Sequence, residues 1–265
     1  MNAVLFRREM KRSLPLLGIF AAVLAVYIGT IVAMFDPSLG ASLDEMAQSM
    51  PQLFAAFGML NAGATLVEFL TNYLYGFLMI ALPLVFIILE ANRLVAQYVD
   101  RGSMACLLAA PVSRGRIVRT QAAVLLLDTL LLAAFSCGLA VGFSAALFPY
   151  QLETPTFLVV NAGLLGVLVL FDGVCFFSSC AFSDGRLAVG AGAGVCVLFV
   201  LVQMLRQVGD SFAWLRWCTP LSLFDTQGIL YFDSLACVKF AVLYAAGLAL
   251  MAAACAVFCK KDLAV

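Results

Sequence analysis

Two carboxylates lie inside long apolar stretches of this chain, where a charged side chain needs a chemical reason. Asp128 follows the start of its stretch at Ile117 by about 16 Å along a helix that rises 1.5 Å per residue, and Asp172 lies in the next stretch. A charge at the centre of a bilayer costs about 3 kcal/mol on insertion scales. One hypothesis is that the two aspartates line a translocation pathway, where they bind a cation or a proton. The alternative is that each is protonated or satisfied by a polar neighbour such as Gln121, Asn161 or Gln203.

Other kinds of chemistry lack the residues that they need. The chain contains no histidine, which excludes HExxH metalloproteases and Ser-His-Asp hydrolases. None of its lysines is followed by Ser or Thr, so the phosphate-binding loop G-x-x-x-x-G-K-[ST] is absent as well. The sequence therefore predicts neither an enzyme nor a bound cofactor, and any nucleotide hydrolysis would need a separate protein.

The composition is that of a membrane protein. Hydrophobic residues make up 65% of the 265 positions and charged residues only 11%, with a mean hydropathy of +1.08. Soluble domains are about half apolar and about a quarter charged. Most of the nine cysteines lie in apolar runs without C-x-x-C spacing, where cysteine acts as a small hydrophobe. A bridge between Cys218 and Cys237, which flank a segment expected outside the cell, is the alternative for those two.

Six stretches are long enough to cross a bilayer, which takes roughly 20 apolar residues in a helix. We predict a single all-α transmembrane domain over residues 1–265, because every backbone amide in lipid needs an internal partner. The predicted spans are residues 14–35, 67–89, 117–147, 156–182, 187–205 and 235–259. Ser13 is expected to cap the first span, with Pro15 in its first turn.

Basic residues predict the orientation of these spans. Twelve of the 15 Lys and Arg residues precede span one, follow span six, or lie in the loops after spans two and four. The positive-inside rule then places both termini in the cytoplasm, in a multi-pass plasma membrane protein.

The N-terminal tail has a pattern of its own. Apolar residues recur there at helical spacing, and basic residues occupy another face; the apolar set is Ala3, Phe6, Met10 and Leu14, and the basic set is Arg7, Arg8, Lys11 and Arg12. This predicts an amphipathic helix on the inner leaflet, with its cations near anionic headgroups. A plain positive-inside signal is the alternative interpretation.

Span five carries a run of small residues. Three glycines alternate with three alanines there: Gly190, Gly192, Gly194, Ala188, Ala191 and Ala193. Small residues let two helices approach closely in a membrane. We expect this face to pack against another helix, either in the same chain or across a dimer.

The loop between spans two and three is long, basic and organised. Residues 93–119 hold five arginines, and Ser103 is a good N-cap for a short apolar helix at Met104–Ala109. Pro111 ends that helix, since proline lacks an amide proton and restricts the residue before it. A short helix parallel to the membrane, flanked by arginines, suits a groove in a cytosolic protein. A basic loop held at the lipid surface is the alternative.

The same loop resembles that of ABC transporter permeases of the type-2 export family. The family pattern is an acidic residue, Gly-Thr, Leu-Leu, a small residue and Pro-Val-Ser-Arg. The matching positions are Asp100, Gly102, Ser103, Leu107, Leu108, Pro111, Val112, Ser113 and Arg114. The family more often has Glu and Thr where this chain has Asp100 and Ser103, and both changes keep the chemistry. The likeness in layout covers the whole chain, but only the loop is specific in sequence.

The resemblance implies a bacterial exporter subunit that is energised in trans. The loop would form a cytosolic coupling helix that docks on a separate ATP-binding subunit, which would hold ATP and Mg. The implied coupling residues are Arg93, Asp100, Arg101, Gly102, Ser103, Met104, Leu107, Leu108, Pro111, Arg114 and Arg116. It also implies pairing with a second permease copy, as a homodimer or heterodimer, in contact with membrane lipid and with no nucleic acid. An ATP-independent secondary transporter that uses Asp128 and Asp172 is the alternative function.

Overall fold

The computed structural model describes residues 2–35, 49–50, 52, 65–100, 113–207, 214–215, 217–224, 226, 228 and 234–260, with backbone only at 99–100 and 234–237. Within these ranges the regular structure is helical. The α-helices are α1 (Ala3–Ala33), α2 (Leu66–Leu70), α3 (Leu78–Ala91), α4 (Gln97–Asp100), α5 (Arg114–Leu147), α6 (Thr154–Ala181), α7 (Gly185–Gln207) and α8 (Ser234–Lys260). A first π turn (Thr71–Tyr75) precedes α3, a second π turn (Asn92–Ala96) follows it, and a 3₁₀ turn covers Pro220–Leu223.

Six helices of the described part are long and apolar enough to cross a membrane. They are α1, the stretch Leu78–Ala96, α5, α6, α7 and the part of α8 from Val238 to Lys260. The prediction of an all-α chain with six spans is confirmed. The predicted limits of spans three to six agree with the structure to within a few residues, because long apolar runs leave little choice of boundary.

The first helix differs from the prediction at its start. It runs unbroken from Ala3 through Pro15, so the predicted interfacial helix is not a separate element. Asn2 caps it by accepting hydrogen bonds from the amides of Val4 and Leu5, and the prediction that Ser13 is the N-cap is wrong. The buried stripe in the first turns is Leu5, Glu9 and Ser13, one position away from the apolar stripe read from the sequence.

The second span begins later than expected. Thr65 and Glu68 form a capping box at the start of α2, but the helical path then passes through the first π turn and a turn at Gly76 and Phe77. Regular α-helix resumes only at Leu78. π turns widen a helix locally and are frequent at functional sites, and two of them bracket this short span.

Of the six long helices described, α6 is the most buried, and it packs against α8, α7, α3 and α5. Its closest approach is to α8, where Gly173 faces Gly247: a methyl group on Gly173 would lie 2.6 Å from the carbonyl oxygen of Gly247. Glycines at this crossing let the two backbones touch, as in other membrane helix pairs. The other extensive pairing joins α1 to α5.

The small-residue face of span five is divided between two environments. Ala188 and Gly192 are buried against α6, and a methyl group on Gly192 would lie 3.1 Å from the Cβ of Ser178. Positions 190 and 194 have open space where a side chain would be. The predicted close packing is therefore confirmed for Ala188 and Gly192, with α6 as the partner, and pairing across a dimer stays a prediction.

Both chain ends approach the flanks of the 101–112 loop. The amide of Asn2 donates to Thr120 Oγ1 at 3.0 Å near the start of α5. At the other terminus, Cys259 lies against Gly115. The N-terminus, the start of α5 and the end of α8 thus share one end of the bundle, as the predicted topology requires.

Candidate functional site

Asp128 lies on α5, and its side chain faces α1 in the interior of the bundle. Its side chain is fully buried, and its Oδ1 is 3.1 Å from the hydroxyl oxygen of Ser13. The other oxygen has no hydrogen-bond partner among the described residues. Ser13 also lies 2.9 Å from the carbonyl oxygen of Met10, one turn back on α1. The hydroxyl that was expected to cap a helix thus joins two helices.

Asp172 lies on α6, next to the α5 residue that follows Asp128. It is also fully buried, and its Oδ1 accepts a hydrogen bond of 3.0 Å from Thr129 Oγ1. Thr129 follows Asp128 directly on α5. The structure therefore brings the two sequence-predicted aspartates into one row that runs from α1 through α5 to α6.

The polar neighbours expected for these aspartates have other partners. Gln121 donates to the carbonyl oxygen of Leu94 at 2.6 Å, in the second π turn. Asn161 donates to Phe157 and accepts from the hydroxyl of Tyr75 at 2.8 Å. The partners are hydroxyl groups, Ser13 and Thr129, because these short side chains reach across the helix contacts that the fold creates.

Sequence reasoning missed two further buried carboxylates, Glu9 and Glu90. Glu9 lies on α1, one turn before Ser13, and accepts a hydrogen bond of 2.7 Å from the hydroxyl of Tyr98. Arg12 donates to the same hydroxyl at 3.3 Å and lies over the ring, 5.8 Å from its centre. Burial raises the pKa of the Tyr98 phenol, so the group keeps its proton and remains a donor to Glu9.

Glu90 forms an ion pair with Arg93, three residues later on the same span. Arg93 also donates to the backbone carbonyl oxygen of Arg12 on α1. The signal for this pair was present in the sequence, since a carboxylate and an arginine three positions apart share one helix face. Glu9 left no such signal, because it stands among basic neighbours in a tail that was expected to lie at the membrane surface.

These groups form what we call the acidic row: Glu9, Glu90, Asp128 and Asp172, all fully buried. Each has one oxygen without a hydrogen-bond partner in the described part of the chain. Among the described residues, Arg93 forms an ion pair with a member of the row, Glu90. The described residues contain no cluster of three or more His, Cys, Asp or Glu side chains that could hold a metal ion.

The predicted coupling residues are described only at the edges of their loop. Arg93 is partly buried in the second π turn, Asp100 is the last residue of α4, and Arg114 and Arg116 are exposed in the first turn of α5. The remaining predicted residues lie outside the described part of the chain: Arg101, Gly102, Ser103, Met104, Leu107, Leu108 and Pro111.

The segment entering this loop is held against α1. Tyr98 in α4 binds Glu9 and Arg12, and Arg93 binds the backbone of Arg12. All three contacts join residues more than eighty positions apart in the chain. We call this set the α1–α4 clamp; it ties the approach to the loop to the N-terminal third of α1.

The cysteines carry no disulfide among the residues described. Cys175, Cys180 and Cys196 are buried thiols that form no disulfide, as expected of cysteines that act as small apolar side chains. Cys218 is a free, exposed thiol, and the side chain of Cys237 lies outside the description. The bridge considered between these two is therefore not part of the structure.

No protein-family model matches this chain, and no curated protein is significantly similar to it. The functional assignment therefore depends on the residues and geometry of the chain itself.

Proposed function

We propose that this chain is the membrane-spanning subunit of an ATP-driven exporter, and that a separate ATP-binding subunit docks on its 101–112 loop. The observation that carries the proposal is the sequence of that loop, which resembles the coupling segment of type-2 ABC permeases at Asp100, Gly102, Leu107, Leu108 and Pro111. The six-span layout supports it, because it supplies the membrane body that such a loop would drive.

The geometry around the loop supports the proposal a second way. A docking segment transmits force only if its flanks are fixed to the helices that must move. Here the entry is fixed to α1 by the α1–α4 clamp, and the exit continues without a break into the 34-residue helix α5. Since α1 also packs along α5, a push on the loop would reach α1 and α5 together.

In this proposal the chain binds no nucleotide. Closure of the partner ATPase on ATP and Mg would shift the loop, and the clamp would pass that shift to α1. Two permease copies and two ATPase subunits would form the working assembly in a bacterial plasma membrane. Both termini and the loop would face the cytoplasm, next to the cytosolic motor.

The proposal is tested by co-purification with a candidate ATPase, taken from the genes adjacent to this one. Replacing the apolar residues of Met104–Leu108 with Ser and Asn should abolish co-purification while leaving the amount of membrane-inserted chain unchanged. The control replaces the apolar residues of Met46–Met50 in the same way, in a segment that the predicted topology would put on the opposite side of the membrane. Binding that survives the first replacement, or is lost equally in the control, would contradict the docking role of the loop.

A second candidate function is ATP-independent transport coupled to a proton gradient. It is favoured by the full burial of Asp128 and Asp172 in one row across three helices. Proteoliposomes containing this chain alone separate the two proposals. Substrate movement that follows an imposed proton gradient without any ATPase would favour the second, and movement only with the ATPase and ATP would favour the first.

A further inference from the structure

At Asp128, one member of the acidic row, a single hydroxyl hydrogen lies within reach of two acceptor oxygens. The hydroxyl of Ser13 lies 2.9 Å from the carbonyl oxygen of Met10 and 3.1 Å from Asp128 Oδ1. A serine hydroxyl carries one hydrogen, so it can donate to only one of the two oxygens. If it donates to Met10, as serines in helices often do to a preceding carbonyl, the hydrogen in the other contact must belong to Asp128.

We propose that Asp128 is a proton-binding site: it is a neutral carboxylic acid in this packed arrangement and donates its hydrogen to Ser13. The proton comes from water and returns to water, and no other bond is made or broken. The proposal does not depend on the exporter function, because it concerns a contact inside this chain and holds for either energy source.

The charges around Asp128 support the same conclusion. The groups that face it are Glu90 on α3, Arg93 in the second π turn and Asp172 on α6, and Glu90 in turn faces Glu9 on α1. Arg93 is already paired with Glu90. An ionised Asp128 would add a negative charge among three carboxyl groups in a space closed to water, where an unpaired charge costs most.

The contact between Tyr98 and Glu9 differs from the Ser13–Asp128 contact, because it needs no extra hydrogen. Tyr98 donates its single hydroxyl hydrogen to Glu9 and accepts one from Arg12. Every hydrogen there is accounted for without a proton on the carboxyl group. When Ser13 keeps its hydrogen bond to Met10, the Ser13–Asp128 contact closes only if Asp128 supplies the hydrogen, so the proton is assigned to Asp128.

A bound proton at this place would join α1 to α5. Ser13 belongs to α1 and Asp128 to α5, and next to it Thr129 continues the row to Asp172 on α6. The Asp128–Ser13 hydrogen bond is thus a contact between spanning helices whose strength depends on one proton.

Infrared spectroscopy of the full chain in lipid vesicles tests the proposal directly. A protonated carboxyl group gives a C=O stretch separate from the amide bands, and this stretch shifts in heavy water. At neutral pH we expect such a band in the wild-type protein and its loss in Asp128→Asn, whose amide is neutral and keeps a donor for Ser13. Glu90→Gln, which removes the ion-paired carboxylate, should retain the band.

The proposal is overturned if the wild-type protein lacks the band, or if Asp128→Asn keeps all of it. Ser13→Ala gives an independent check in case Asp128→Asn does not insert. It should keep the band but move it to higher frequency, because the acid has lost its acceptor. An unmoved band in Ser13→Ala would also contradict the assignment.

Discussion

The crossing of α6 and α8 makes a prediction whose size follows from the structure. A methyl group added to Gly247 would lie 2.5 Å from the carbonyl oxygen of Val169 and 2.7 Å from its carbonyl carbon. Both atoms belong to the backbone, so no side-chain rotation can relieve the clash. Since non-bonded carbon atoms in van der Waals contact are about 3.5–4.0 Å apart, the two helices would have to separate by roughly 1 Å.

We expect Gly247→Ala to destabilise the protein by about 1–3 kcal/mol, the usual cost of overpacking a close-packed interior. For a chain of roughly this length each kcal/mol corresponds to about 2–4 °C of melting temperature. Gly173→Ala should have a similar effect, because its methyl group would meet the carbonyl oxygen of Gly247 at 2.6 Å.

The assay is thermal unfolding in detergent, followed by the reaction of the buried thiols Cys175, Cys180 and Cys196 with a fluorogenic reagent. Gly190→Ala is the matched control, since it adds the same methyl group to a spanning helix at a position with no atom within 4 Å. Its melting temperature should equal or slightly exceed that of the wild type, because alanine favours helix over glycine. If Gly247→Ala and Gly190→Ala have the same melting temperature, the close approach of α6 and α8 is refuted.

Two further predictions concern the buried polar contacts. Tyr98→Phe removes the hydrogen bond to buried Glu9 and should cost about 1–3 kcal/mol of stability. The control Tyr27→Phe, whose ring is exposed on α1, should change the melting temperature little. Equal melting temperatures of the two variants would argue against the α1–α4 clamp. Glu90→Ala should cost roughly 3–5 kcal/mol of stability, because it leaves Arg93 without its counter-ion. Adding Arg93→Met to this variant should restore much of the lost stability. If the double variant is no more stable than Glu90→Ala, loss of the ion pair is not the cause of the destabilisation.

The spans and their number followed from the sequence because lipid imposes one rule on every residue. A stretch of roughly 20 apolar residues must be helical to satisfy its own backbone, whatever it later packs against. For that reason α5, α6, α7 and α8 began and ended close to their predicted limits. The prediction was less successful at the second span, since π turns depend on which neighbours pack against the helix and leave no mark on hydropathy.

The residues of the candidate site were also only partly predictable from the sequence. Asp128 and Asp172 were visible from the sequence because an isolated carboxylate in an apolar run is conspicuous. Glu9 was not, because it stands among charged neighbours in the chain and becomes a buried group only when α1 packs against Tyr98. The roles assigned to Gln121 and Asn161 were wrong for the related reason that a side chain's partner is set by the facing helix.

By itself, then, the sequence determined that this is a helical membrane protein with six candidate spans, because both depend on local composition and order. Only the tertiary structure decided that Ser13 faces Asp128, that Thr129 faces Asp172 and that Gly173 faces Gly247. These pairs lie between 43 and 115 positions apart where hydrogen bonds join them. The physical reason is that hydropathy selects which residues enter the membrane, whereas the rotation and crossing of packed helices select which of them meet.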